Sequence, residues 1–140
     1  FNVYGPNQNA NSPYSAVIPI FINRMKKNMP VTVNGGYQTR DFIYIDDVLN
    51  IMKISMQIAQ SKKDSIIFNV GTGRSVNINR LFKMIKKIVP NKSKIIRKKL
   101  DKFDPIKSSG TFKKFKKVLK NKKLNLTRLE DGIIKTISSY

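Results

Sequence analysis

Residues 31–48 read VTVNGGYQTRDFIYIDDV, and the order of residue types in that stretch sets the architecture. Pro30 stops a preceding helix, and Val31-Thr32-Val33 is short, β-branched and fit for a strand. Gly35-Gly36 supplies a turn, after which Thr39 to Ile45 alternates with strand character. Asp46 or Asp47 is an N-cap candidate for a helix from Val48 to Ala59. That helix has Val48, Ile51, Met52, Ser55, Met56 and Ala59 at helical spacing.

The flanks continue the alternation of strand and helix. Upstream, Phe1-Asn2-Val3-Tyr4 reads as a strand already under way, broken by Gly5-Pro6-Asn7 and a polar loop to Pro13. A helix is expected from Ser15 to about Lys27, with Ile18, Phe21, Ile22 and Met25 on one face. Downstream, the apolar run Ile66-Ile67-Phe68-Asn69-Val70 fits a buried, parallel strand. After Gly71-Thr72-Gly73, Ser75 or Asn77 starts a helix whose buried face is Ile78, Leu81, Phe82, Ile85 and Ile88, closed by Pro90. Lys94 to Arg97 is a candidate strand, and Asp101 to Ser109 is irregular. Helices over roughly Thr111 to Lys120 and Arg128 to Ser139 finish the chain. The pattern predicts an α/β fold with no internal repeat.

Composition narrows the chemistry. The chain has 140 residues, enough for one domain with a real core. It has no Cys and no His, so thiolate chemistry, disulfides and the commonest general base are excluded. Eight carboxylates without His or Cys make no zinc site, and no metal site is predicted. No apolar run approaches the length of a membrane span. The net charge of +20 raises a polyanion-binding reading. Against it stand 22 Lys to only 6 Arg, and Phe112 and Phe115 at helical spacing, which suggests a core stripe instead of a base-stacking platform.

Three local patterns carry possible chemistry. Gly71-Thr72-Gly73 lies between an expected strand and a helix, but Val76 replaces the third Gly of a dinucleotide fingerprint. Its amides could hold an anion, but a tight turn that lets a core strand feed a helix is the better explanation. Arg40 can offer a bidentate fork to a phosphate, or pair with Asp41 or another carboxylate. Asp46-Asp47 fits helix capping better than acid–base work.

In order and spacing, FNVYGPNQ, SPYSAVIPIFI, VTVNGG-QTRDFIYIDDV and IIFNVGTG resemble the C-terminal half of the extended short-chain dehydrogenase/reductase family. Its members include the NAD-dependent nucleotide-sugar epimerases and dehydratases, and the stretch looks most like UDP-N-acetylglucosamine or UDP-glucuronate 4-epimerases. The resemblance runs from Phe1 to about Arg80. It implies the C-terminal part of a Rossmann-like fold, with residues 1–140 forming the substrate-binding portion and an N-terminal NAD-binding portion absent. Phe1 would lie beside the nicotinamide, and Asn2 would hydrogen-bond the diphosphate or sugar. Val17 and Ile18 would line the nucleotide pocket, and Thr32, Val33 and Asn34 would border the uracil, partly through backbone groups. Arg40 would grip the diphosphate, and Asp104 would accept from ribose hydroxyls or a base-facing group.

The family reaction oxidises a sugar hydroxyl transiently to a keto group, and a dehydratase or decarboxylase could share the scaffold. The resemblance further implies a cytoplasmic homodimer in cell-surface polysaccharide biosynthesis. Departures are Asp101, with Lys102 next to it, where the family commonly has an Arg, Asn7 after the turn, and Thr111 in place of an Asp. The family's Tyr-x-x-x-Lys pair is not found: Gln8, Ile18, Asp41 and Val48 stand four residues after Tyr4, Tyr14, Tyr37 and Tyr44. No catalytic residue is therefore assigned, and residues 1–140 alone are expected to be inactive and poorly stable.

Overall fold

The computed structural model describes residues 1–11, 16–60, 65–119 and 124–140. The expected helix start at Ser15, the expected helix end at Lys120 and the last loop residue, Pro13, lie outside the described residues. The chain runs β1 (Asn2–Tyr4), α1 (Val17–Lys26), β2 (Val31–Asn34), β3 (Thr39–Tyr44) and α2 (Ile45–Gln60). It continues through β4 (Ser75–Asn77), α3 (Ile78–Ile88), β5 (Ile95–Lys98), β6 (Lys107–Ser108), α4 (Lys113–Val118) and α5 (Leu129–Ile137).

Strand β3 is the organising element. Its second half pairs in parallel with β1, Asn2 opposite Phe42 and Tyr4 opposite Tyr44. Its first half pairs antiparallel with β4 and parallel with β6. A separate two-stranded parallel sheet joins β2 to β5, Val31 opposite Ile95. All three parallel pairs need crossovers, and α1 lies in the one between β1 and β3. Alternation along β3 sends Phe42 and Tyr44 into one core, with Ile18, Phe21, Ile22, Met25 and Leu81, while Ile43 enters a second with Ile51, Phe112 and Phe115. Phe112 and Phe115 are buried as the helical spacing anticipates, their ring centroids 5.0 Å apart.

Local chemistry accounts for the ends of α1 and the start of α3. Helix α1 takes Pro19 in its first turn, where the missing N–H costs nothing, and buries Ile18, Phe21, Ile22 and Met25 as expected. Asn28 follows it at φ +52°, a left-handed conformation that Asn tolerates, before Pro30. Helix α3 is capped by Asn77, whose side chain accepts from the Arg80 amide at 2.7 Å.

Three expectations are corrected. Neither Asp46 nor Asp47 is the N-cap of α2, because the helix already begins at Ile45 and places both carboxylates in its first turn, where they oppose the helix dipole favourably. Asp47 instead reaches across the fold to accept from the Thr127 amide at 2.9 Å and the Thr127 hydroxyl at 3.0 Å. The buried face of α2 is rotated from the expected stripe: Ile51 is buried, with Val48, Ile54 and Ile58 packed beside it, while Met52 and Met56 are exposed. Residues 65–70 form no strand. A strand needs a backbone ladder beside it. This run has one long-range bond, Val70 O accepting from the Phe1 nitrogen at 2.9 Å, and Ile67 is 83% exposed.

The Tyr4 phenol is buried and donates to the Leu129 carbonyl at 3.2 Å. Burial, then the charges of Asp47, Tyr44 and Asp131, push its pKa well above the usual value of about 10. The fold therefore favours the neutral phenol. That contribution is whole below about pH 10 and is lost as pH rises through the folded-state value, because the unfolded chain deprotonates first. Tyr44 and Tyr140 shift in the same direction, each mainly through burial. Stability is expected to fall above about pH 10, by up to about 1.4 kcal/mol per pH unit for Tyr4 alone. Melting the protein and its Tyr4→Phe variant from about pH 8 to about pH 11.5 checks this, and equal alkaline slopes would refute it.

Candidate functional site

A cleft of about 310 Å³ opens between α1, β1, β2 and β3. Its size suits part of a small organic ligand. One wall is apolar and comes from Val17, Ile20 and Phe21 of α1 with Phe42 and Ile78. Asn2, Thr32, Asn34, Gln38, Arg40 and Asp104 form the polar side. Strand alternation explains much of this set: Arg40 and Phe42 share a face of β3, Asn2 lies opposite Phe42, and Thr32 and Asn34 share a face of β2.

The polar wall is held by side chain to backbone bonds. Gln38 is buried, accepts from the Gly36 amide at 2.6 Å and donates to the Asn34 carbonyl at 2.8 Å. The first turn of α3 docks on the same loop, with the Ile78 amide on Gln38 O at 3.1 Å and the Asn79 amide on Gly36 O at 2.8 Å. Those bonds use two of the four N–H groups that a helix start leaves unpaired. Gly36 is required there, since its φ is +97° and a Cβ would come within 2.4 Å of the Asn79 side chain.

Arg40 lies at the centre of the polar side. Its Nη1 donates to the Thr39 carbonyl at 2.8 Å, and its Nη2 is paired with the Asp104 carboxylate. Among the described residues this is the one ion pair. Arg40 is nearly buried and Asp104 is more open, with side-chain exposures of 12% and 39%. Of the two pairings open from sequence, the structure has the one with another carboxylate, Asp104, while Asp41 lies on the opposite face of the strand.

Asp41 is fully buried, and its carboxylate is the anion that the Gly71-Thr72-Gly73 amides hold. It accepts from the Thr72 amide at 3.0 Å, the Gly73 amide at 2.9 Å and the Gly110 amide at 3.2 Å, and from the Thr72 hydroxyl. Its carbonyl also accepts from Asn2 Nδ2 at 3.0 Å, which fixes the Asn2 side chain beside the cleft. The Gly-Thr-Gly turn is therefore committed to an internal carboxylate. With the Thr72 and Gly73 amides taken by Asp41, that turn does not fit the pyrophosphate of a dinucleotide such as NAD.

Six of the residues expected at the site line the cleft together: Asn2, Val17, Thr32, Asn34, Arg40 and Asp104. Ile18 and Val33 do not. Ile18 is turned into the core on α1, and strand alternation puts the Val33 side chain in the core behind Thr32 and Asn34. Phe1 stands apart, half-exposed, with its ring packed against the backbone of Gly71 and Gly110. A Cβ on Gly110 would meet that ring at 2.7 Å. Ile20, Phe21, Gln38, Phe42 and Ile78 also line the cleft and were not anticipated. Helical spacing from Val17 and alternation from Arg40 point to Ile20, Phe21, Gln38 and Phe42.

The geometry has close counterparts. A UDP-glucose 4-epimerase from Thermotoga maritima, solved with UDP-glucose, superposes with a TM-score of 0.84 at 33% identity, covering 99% of this chain and 43% of that one. A UDP-N-acetylglucosamine 4-epimerase from Methanobrevibacter ruminantium, in complex with UDP-N-acetylmuramic acid, gives 0.84 at 28% identity with the same coverages. An Escherichia coli dTDP-4-dehydro-6-deoxyglucose reductase is 34% identical over 94 residues, 63% of this chain and 28% of that enzyme. The chain thus spans less than half the length of each of these relatives. The profile of the NAD dependent epimerase/dehydratase family matches residues 1–71. With the α/β architecture and the epimerase structures that overlie it from end to end, that match makes the chain a member of the NAD dependent epimerase/dehydratase family.

Proposed function

We propose that this chain binds the nucleotide diphosphate of a UDP-sugar for an NAD-dependent nucleotide-sugar 4-epimerase. The observation that carries the reading is the convergence on one cleft of the Arg40 guanidinium, the polar groups of Asn2, Thr32, Asn34 and Asp104, and the apolar side chains of Val17, Ile20 and Phe21. Arg40 would take the diphosphate, since a guanidinium fork matches phosphate oxygens in geometry and charge. Asn2, held by the Asp41 carbonyl, would add a neutral hydrogen bond to the diphosphate or sugar. Thr32 and Asn34 would border the uracil, with Val17 and Phe21 against its ring. Asp104 would accept from ribose hydroxyls. Clamping the nucleotide orients the sugar for reaction, which is where such contacts lower the barrier.

NAD, when bound, supplies the hydride acceptor for transient oxidation of the sugar. In this proposal it is held mainly by residues outside this chain, with Phe1 at the edge of the nicotinamide. The same clamp would serve a dehydratase or decarboxylase.

Titrating UDP and UDP-glucose into the full-length protein tests the reading. Saturable binding with one site per chain is expected, with modest salt dependence because one guanidinium carries the phosphate contact. The rival is a polyanion-binding module built on the excess of Lys. That reading predicts indifference to UDP and affinity for nucleic acid that falls steeply with salt. Burial of Phe112 and Phe115 already removes two aromatics from any stacking platform.

A further inference from the structure

Arg40 and Asp104 line the same cleft and hold each other. The loop that carries Asp104 is anchored on β3 beyond that residue. The Thr39 amide donates to Ile106 O at 2.9 Å, Lys107 and Ser108 pair with Thr39 and Arg40, and the Gly110 amide reaches Asp41 at 3.2 Å. On the other side of Asp104, contacts are internal to the loop: its amide donates to Asp101 O at 3.1 Å, and the Phe103 amide to Asp101 Oδ1 at 2.8 Å. Asp104 therefore sits on the less tethered part of the loop, where the carboxylate can part from Arg40 while β3 keeps its register.

We infer that the Arg40–Asp104 pair is a selectivity latch, opened together by a phosphate and a vicinal diol on one molecule. This rests on the reading of the cleft as a nucleotide-diphosphate site. A bare diphosphate must draw Arg40 away from Asp104, leave that carboxylate unpaired and set its own negative charge beside it. Both effects oppose binding. A nucleoside without phosphate can donate ribose hydroxyls to Asp104, but must compete with a guanidinium for the same oxygens. A nucleoside diphosphate replaces both halves of the pair at once: its phosphate oxygens accept from Arg40 and its hydroxyls donate to Asp104. The latch thus rejects inorganic anions from a strongly basic protein while admitting nucleotides.

The test is calorimetric titration of the full-length protein and its Asp104→Asn and Asp101→Asn variants with inorganic diphosphate, uridine and UDP. Asp101→Asn removes the same charge three residues away and keeps the oxygen that accepts from Phe103. Inorganic diphosphate is expected to bind Asp104→Asn about fivefold to tenfold more tightly than the parent, and Asp101→Asn within about twofold of it. The preference for UDP over diphosphate should shrink accordingly. Equal shifts in the two variants would reduce the effect to long-range charge and overturn the latch. So would an unchanged affinity, or no detectable diphosphate binding, in Asp104→Asn. If the parent does not bind UDP, the reading of the cleft itself fails, whatever the variants do with diphosphate.

Discussion

Replacing Asp41 by Ala is expected to lower the melting temperature by roughly 10–20 °C, the largest stability effect of any carboxylate among the described residues. The reason is the number of groups that depend on it. Three backbone amides and one hydroxyl, from two segments distant in sequence, converge on one buried carboxylate. Removing the acceptor strands donors at Gly110 and Thr72 in a region where Gly71 and Gly110 are themselves buried. Breaking such a network costs about 3–5 kcal/mol, a large part of the ~5–15 kcal/mol that holds a domain together. Asp41→Asn is a poor rescue, because its amide turns two donors toward a site already lined with donors. Asp46→Asn, at an exposed position, should move the melt by only about 2–4 °C. Thermal unfolding by circular dichroism distinguishes the two positions, and an Asp41→Ala melt within about 3 °C of the parent would show that the cluster is not stabilising.

That cluster also shows where sequence reasoning stops. The alternation in TRDFIY was enough to predict β3, and alternation alone places Arg40 and Asp41 on opposite faces. Which carboxylate Arg40 meets depends on a loop sixty residues later, and no local pattern carries that pairing. The Gly-Thr-Gly turn was legible as a turn and as an amide nest. Its anion could not be read, because the acceptor comes from another strand. Buried faces of α1 and α3 followed from 3.6-residue spacing, since each has one dominant apolar stripe. Helix α2 has apolar residues on two stripes, and only the tertiary contact of Ile51 with the Phe112–Phe115 cluster selects between them. Residues 66–70 have the composition of a strand without a neighbouring ladder to make one. Of the residues that the resemblance implied, six line one cleft. The resemblance could not say that Ile18 and Val33 spend their side chains on the core, which is a matter of helix and strand phase.

Arg40 is the position where a single change should most alter ligand binding. Its guanidinium is nearly buried, fixed by the Thr39 carbonyl at 2.8 Å and aimed into the cleft beside Asn2 and Asp104. A charge-assisted hydrogen bond contributes about 1.5–3 kcal/mol. Arg40→Ala should therefore weaken UDP binding by about 10- to 100-fold. Arg40→Lys keeps the charge but not the planar fork, and a loss of roughly tenfold is expected. Uridine separates this from general damage to the cleft. Arg40→Ala releases Asp104 from its ion pair, so the ribose hydroxyls gain an unoccupied acceptor and uridine affinity should hold or rise while UDP affinity falls. A parallel fall in both ligands would mean that Arg40 supports the shape of the cleft instead of contacting phosphate. Opposite movements require a guanidinium that binds the diphosphate and, without it, occupies the carboxylate that the ribose needs.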